Sequence, residues 1–243
     1  MRLIVFLIAL MAAPAQAACR LALVLALDVS ASVDAEEYRL QVEGMAAALT
    51  SPEVSGILLS DPANPVAVAV FVWSGPSDQA LVADWTLVTD EGVLAGLAGR
   101  IASYPRRIVF DGRTAIGAAL RQASFLLSIA PPCDKRVVDV ATDGRNNAGA
   151  DPQQIADGAA FQGVTINGLA IGGGAASAET SLARYLRLRV TRGADSFVET
   201  ARDYADFERA MTRKLIRELQ EVVLGQLDAD TTSGAVAGVR KTP

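Results

Sequence analysis

A chain of 243 residues with 22 Lys and Arg against 27 Asp and Glu carries a net charge of −5 and contains no histidine. An acidic chain without a basic cluster is a poor nucleic-acid ligand. Without imidazole it lacks the usual general base and the commonest zinc ligand, which excludes a Ser-His-Asp hydrolase.

The chain opens on a leader. Arg2 precedes the apolar run Leu3 to Ala13, and Ala15-Gln16-Ala17 supplies a small-residue cleavage site, the pattern of a secretory signal peptide. That run falls short of the roughly 20 residues a bilayer span needs. Gln16 also stands where a lipid-attachment signal calls for an aliphatic residue. Residues 1–17 are assigned to the leader, 18–225 to one domain large enough for a substantial core, and 226–243, small and polar, to a flexible tail. No second long apolar segment follows, so the mature chain is expected to be periplasmic or secreted, without a membrane span.

Beyond the leader, apolar runs of strand length alternate with segments of helical period, the mark of a parallel sheet covered on both faces. Strands are predicted at about 21–28, 66–73, 81–87, 136–142, 164–171 and 195–199. Helices are predicted at about 34–50, 90–103, 115–130, 152–162, 178–190 and 203–224. The first helix begins Asp34-Ala35-Glu36-Glu37, a capping box with Asp34 as N-cap. The loop Ser74-Gly75-Pro76-Ser77-Asp78 is too brief for a crossover helix, so the strands it joins pair as an antiparallel hairpin. Trp73, at a strand end, is either an exposed anchor or a core residue. The last helix carries Tyr204, Phe207, Met211, Leu215, Leu219 and Val222 on one stripe, suited to covering its own sheet.

The fold class expected is α/β: a doubly wound, Rossmann-like, mostly parallel six-stranded sheet with one antiparallel edge strand and helices on both faces. Cys19 lies nine residues before Asp28 and Cys133 ten before Asp143. If those two strands are parallel neighbours, the cysteines meet at the end opposite the aspartates, and an oxidising compartment favours a Cys19–Cys133 disulfide over two buried thiols.

In an open α/β sheet, ligands sit outside the carboxyl ends of the strands where the strand order reverses. Three loops converge there: Asp28-Val29-Ser30-Ala31-Ser32, Asp111-Gly112-Arg113-Thr114, and Thr142-Asp143-Gly144. Carboxylates and hydroxyls without imidazole or thiolate suit a hard cation, Mg²⁺ with Mn²⁺ or Ca²⁺ as substitutes. Gly172-Gly173-Gly174 lacks the spacing of a dinucleotide loop and reads as a flexible connection.

Asp28, Ser30, Ser32, Thr114 and Asp143, with Gly144 after the last and Gly117 completing a Thr-x-x-Gly, resemble the metal-ion-dependent adhesion site of the von Willebrand factor type A domain. The resemblance spans Leu21 to about Leu224. Export, the two cysteines and Val72-Trp73-Ser74-Gly75 are similar to a bacterial secreted branch of unassigned function. Asp111-Gly112-Arg113 departs from the Gly-rich turn of many relatives and sets a cation beside the mouth. The resemblance implies that Ser30, Ser32 and Thr114 reach the metal directly, while Asp28 and Asp143 act through water or orient the hydroxyls. It also implies that a partner protein's acidic side chain fills the remaining position. The expected function is thus an exported, metal-dependent binding module, not an enzyme. A Mg²⁺-dependent phosphohydrolase with Asp28 as nucleophile is an alternative, although Ser30 stands where such enzymes place a second acid. A structural subunit of an envelope assembly is another.

Overall fold

A computed structural model describes residues 19–106, 112–172, 181–193 and 195–220. The expected leader, tail, Asp111 and the second and third glycines of 172–174 lie outside them. Six strands, β1 (Cys19–Asp28), β2 (Val66–Trp73), β3 (Gln79–Val88), β4 (Cys133–Thr142), β5 (Thr165–Ile171) and β6 (Val198–Ala201), form one sheet in the order β3-β2-β1-β4-β5-β6. All neighbours are parallel except β2 and β3, joined antiparallel through the short 74–78 turn. From β1 the chain winds first toward β2 and later returns to β4 on the other side, so the strand order reverses between β1 and β4.

The helices are α1 (Ala35–Thr50), α2 (Pro52–Leu58), α3 (Glu91–Ala102), α4 (Ile116–Ser128), α5 (Pro152–Ala156), α6 (Ser181–Arg189) and α7 (207–220). Alternation along the strands sorts them into two layers. Leu21, Leu23, Leu25 and Leu27 of β1 share one core with α1, α2, α3 and α7. Ala22, Val24 and Ala26 share the other with α4, α5 and α6. A central strand buried on both faces shows no polar alternation in sequence, and every residue of β1 is buried.

Differences from the sequence-based expectation are local. Helix α2 was not predicted: seven residues are too few to show a period, and its start is marked only by Ser51 at the N-cap and Pro52 at the first helical position. Arg20, buried at the start of β1, donates to the Ile57 and Leu58 carbonyls at 2.6 and 2.9 Å, placing a cation on the C-terminal end of α2. The segment predicted as one helix over 152–162 breaks after Ala156 and resumes as a 3₁₀ turn at Ala159–Phe161. Strand β6 lies at Val198–Ala201, three residues later than expected. The last helix begins as a 3₁₀ turn at Tyr204–Asp206. Trp73 is fully buried, a core residue. Asp34 accepts from the Glu36 and Glu37 amides while Glu37 accepts from its own, so the capping box is complete.

One charged cluster is embedded in the core. Lys214 of α7 sets its ammonium 2.8 Å from Asp139 of β4 and 2.5 Å from Glu218 one turn on. All three are within 2 % of complete burial. Asn167 of β5, opposite Asp139 in register, donates to Glu218 Oε1 at 2.7 Å.

Among the described residues no helix is long and apolar enough to cross a membrane. Cys19 and Cys133 face each other in the β1–β4 register and are disulfide-bonded, with Cα atoms 4.3 Å apart. The bond closes a loop across a sequence separation of 114, worth about 4 kcal/mol in the chain-entropy model. Replacing both cysteines by serine is expected to lower the unfolding free energy by about that amount. Urea denaturation measures it, and reductant should shift the wild-type midpoint but not that of the double variant.

Candidate metal centre

At the carboxyl edge of the sheet, β1 ends on Asp28 and β4 on Thr142, directly across the strand-order reversal. Asp28 is fully buried. Its Oδ1 accepts from the Ser30 amide at 2.8 Å and its Oδ2 from the Thr142 hydroxyl at 2.5 Å. The chain then turns sharply, with Val33 N donating to Ser30 O before α1 begins. That turn brings the Ser30 and Ser32 hydroxyls to within 3.2 Å of each other.

Thr114 arrives from a separate loop, its Oγ1 3.3 Å from Ser30 Oγ. Asp143 arrives from a third, its Oδ1 accepting from Ser32 Oγ at 2.9 Å. All five residues singled out in the sequence therefore gather at one point. Asp28, Ser30 and Thr114 are buried, Asp143 is half-buried and Ser32 is exposed, so the cluster opens to solvent on its Ser32–Asp143 side.

Backbone contacts hold the loops in place. Ala31 N donates to Gly112 O at 2.8 Å, and Ala115 N to Ser74 O at 2.9 Å. Gly112 has φ +60°, and a Cβ there would come within 2.9 Å of the Ala31 side chain, so the close approach requires glycine. Gly117 has a plainer constraint: a Cβ would lie 2.3 Å from the Ala150 carbonyl oxygen. Asn147 clamps Thr114 from both sides, Oδ1 accepting from Thr114 N and Asn147 N donating to Thr114 O, each at 2.9 Å. Asn146 Oδ1 accepts from Gly117 N at 3.3 Å.

Thr142, Asn146 and Asn147 were not among the predicted site residues. Their only signal in sequence is adjacency to Asp143, and adjacency does not separate a positioning contact from a simple turn. Arg113 and Arg145 lie on the exposed rim. Arg145 is held there by the Ser181 carbonyl at 3.0 Å and lies 5.5 Å from the centre of the Tyr185 ring.

The electrostatics favour a cation. Burial pushes the Asp28 carboxyl up to about 7, against the Thr142 and Ser30 hydrogen bonds and with Asp143 adding repulsion. Burial likewise raises Asp143, opposed by the Ser32 hydroxyl and reinforced by Glu37. The Tyr204 phenol is raised too, by burial and then by Asp143, Asp28 and Glu37. Among the described residues no three His, Cys, Asp or Glu side chains come together as a metal site. The donor set here is two carboxylates and three hydroxyls, all hard oxygens, which fits Mg²⁺, Mn²⁺ or Ca²⁺ and no soft metal.

The chain belongs to the family described as "Protein of unknown function (DUF1194)", whose model matches residues 18–223. No curated protein sequence matches it. Its fold is that of the von Willebrand factor type A domain. It is similar to proximal thread matrix protein 1 from the mussel byssus, at 18% identity and a TM-score of 0.62, over 84% of this chain and 49% of that one. A second structure of the mussel protein, described as having a zinc-occupied MIDAS motif, aligns at 19% identity and a TM-score of 0.58, over 84% and 46%. A von Willebrand factor type A protein from Catenulispora acidiphila aligns at 18% and 0.55, over 84% and 43%. The chain thus spans about half the length of these proteins, and at such identities the likeness is one of fold.

Thr142→Val removes the donor to a buried carboxylate oxygen. In metal-free protein it is expected to cost about 1–3 kcal/mol and to push the Asp28 carboxyl further up. Chemical denaturation reads the first effect, and an unchanged unfolding free energy would show that the Thr142 hydroxyl does not support Asp28.

Proposed function

We propose that this protein is an exported binding module that engages an acidic side chain of a partner protein through a divalent cation, Mg²⁺ with Mn²⁺ or Ca²⁺ as substitutes. The cation would be held by Asp28, Ser30, Ser32, Thr114 and Asp143. In this proposal residues 1–17 are a leader removed on export, 18–225 the binding domain and 226–243 a tail, and the protein works in the periplasm or outside the cell. The observation that carries the proposal is the 3.3 Å approach of Thr114 to Ser30, residues far apart in sequence, with two carboxylates closing the same cluster.

A divalent cation bound there supplies an electrophilic point with a coordination position open to exchange. Neutral hydroxyls from Ser30, Ser32 and Thr114 leave its charge largely unspent. Asp28, anchored by Thr142, holds the Ser30 turn from behind, and Asp143 orients Ser32 at the mouth. Nothing in this set pairs a nucleophile with a base, so the chemistry it supports is recognition and not turnover. The known proteins of similar fold, one with a metal in its adhesion motif, support the same reading. The phosphohydrolase alternative gains nothing from the geometry, since Ser30, two residues after Asp28, contacts other hydroxyls and is no acid.

Calorimetric titration of chelator-treated protein with Mg²⁺ or Mn²⁺ is expected to show one site, lost in Ser30→Ala and in Asp143→Ala. Unchanged binding in both variants would overturn the proposal. Cation and proton compete for Asp28, whose carboxyl sits at about 7 in the metal-free protein. Affinity should therefore weaken as pH falls below neutrality, by up to about tenfold per pH unit for each carboxyl that must give up a proton. Capture from an envelope extract, with Mg²⁺ against chelator, then separates a binding module from a structural subunit. A subunit whose metal only stabilises the fold would keep its partners in chelator while losing thermal stability.

A further inference from the structure

We propose that the buried clasp of Asp139, Lys214 and Glu218 is a proton-binding site that locks α7 to the sheet, closed while Asp139 carries a proton and weakened once that proton is lost. With all three groups ionised the cluster would hold one uncompensated negative charge in the core, and an unmatched buried charge is among the most destabilising features a fold can contain. One bound proton removes it.

Hydrogen-bond counting says where the proton sits. Glu218 Oε1 receives two donors, Lys214 Nζ at 2.5 Å and Asn167 Nδ2 at 2.7 Å. Asn167 cannot turn its amide around, because its Oδ1 accepts from Phe197 N at 3.0 Å. Glu218 thus has two donors, both on Oε1, and none on its buried Oε2. Asp139 has only Lys214, 2.8 Å from Oδ2, and its Oδ1 has no donor. Of the two acids it is the one better served by a hydrogen of its own.

The groups that face Asp139 are few. Opposite it in register are Leu25 of β1 and Asn167 of β5, neither of them ionisable. From α7 come Lys214 and Glu218. The Phe197 ring packs beside the clasp with Lys214 at 5.1 Å and the Arg217 guanidinium at 3.8 Å from its centre. Beyond Glu218 and Asn167 lies a cavity of about 220 Å³, lined also by Asp134, Lys135, Arg136 and Asp195, which gives protons a route in. Burial, then the charge of Glu218, raise Asp139 against the pull of Lys214, in agreement with the assignment. The native state therefore binds this proton more tightly than the unfolded chain. The stability it contributes is complete below the ordinary aspartate range and is lost as pH rises from there to about 7, above which nothing more is lost.

Urea unfolding from about pH 5 to about pH 9 tests the proposal. The folding constant of Asp139→Asn relative to wild type is expected to rise with pH by up to about tenfold per unit while the native state still holds the proton, and to level off above about 7, where that proton is lost. This comparison cancels the contribution of Asp28. Amide protection across 207–220, with the intrinsic pH dependence of exchange divided out, should fall with pH in wild type and not in the variant. A ratio independent of pH overturns the proposal, as does a pH response that Glu218→Gln abolishes and Asp139→Asn leaves intact. Should the variant not fold, carbon-13 NMR of the wild-type carboxyls decides, and an Asp139 resonance titrating at or below the ordinary aspartate range overturns the assignment.

Discussion

Strand β1, buried along all ten residues, lies between β2 and β4, and its parallel pairing with β4 sets both ends of the molecule. At one end the register lays Cys19 against Cys133, and the disulfide fastens two segments that the chain separates by 114 positions. At the other end the same register brings Asp28 beside Thr142, and the loops that follow them meet. A slip of one residue would turn every side chain of β1 to the opposite face and exchange the two cores. The register is therefore held by packing along its whole length and needs the disulfide only as a fastening.

Because the strand order reverses at that pairing, the loops after β1 and β4 leave the sheet in opposite directions and open a crevice between them. The loop before α4 enters the crevice from the side, and Asn146 and Asn147 tie it down. Three hydroxyls and two carboxylates then share a space in which burial, with Asp143 repelling Asp28 and Glu37 repelling Asp143, holds both carboxyl groups above their ordinary range. A fold that gathers two acids and three hydroxyls at one opening offers hard oxygens suited to a cation from outside.

The interior of the opposite layer solves a related problem differently. Asp139 and Glu218 draw on partners from within, Lys214 of α7 and Asn167 of β5, which together supply one positive charge for two acids. Both clusters place carboxylates in a low-dielectric surrounding. One borders solvent through Ser32 and Asp143, whereas the other lies beneath a helix, with only the cavity at Glu218 and Asn167 beside it. Exposure is what separates the two clusters, one open to ions from solvent and the other not.

Local pattern in the sequence was enough for much of this. Strand-length apolar runs, the Asp34 capping box and the five-residue turn between β2 and β3 are signals confined to a few neighbouring positions, and they identify the fold, whereas Thr114 and Asp143 joined Asp28, Ser30 and Ser32 through the resemblance to the von Willebrand factor type A site and the disulfide followed from the expected pairing of two strands. Tertiary structure alone decided that Trp73 is core, that Arg20 closes α2, that Thr142 and Asn147 support the site, and that Lys214 of the last helix meets Asp139 of a central strand. Periodicity tells which face a residue takes, not which distant residue faces it. Partners separated by dozens of positions are chosen only when the sheet order and register bring them within hydrogen-bond reach.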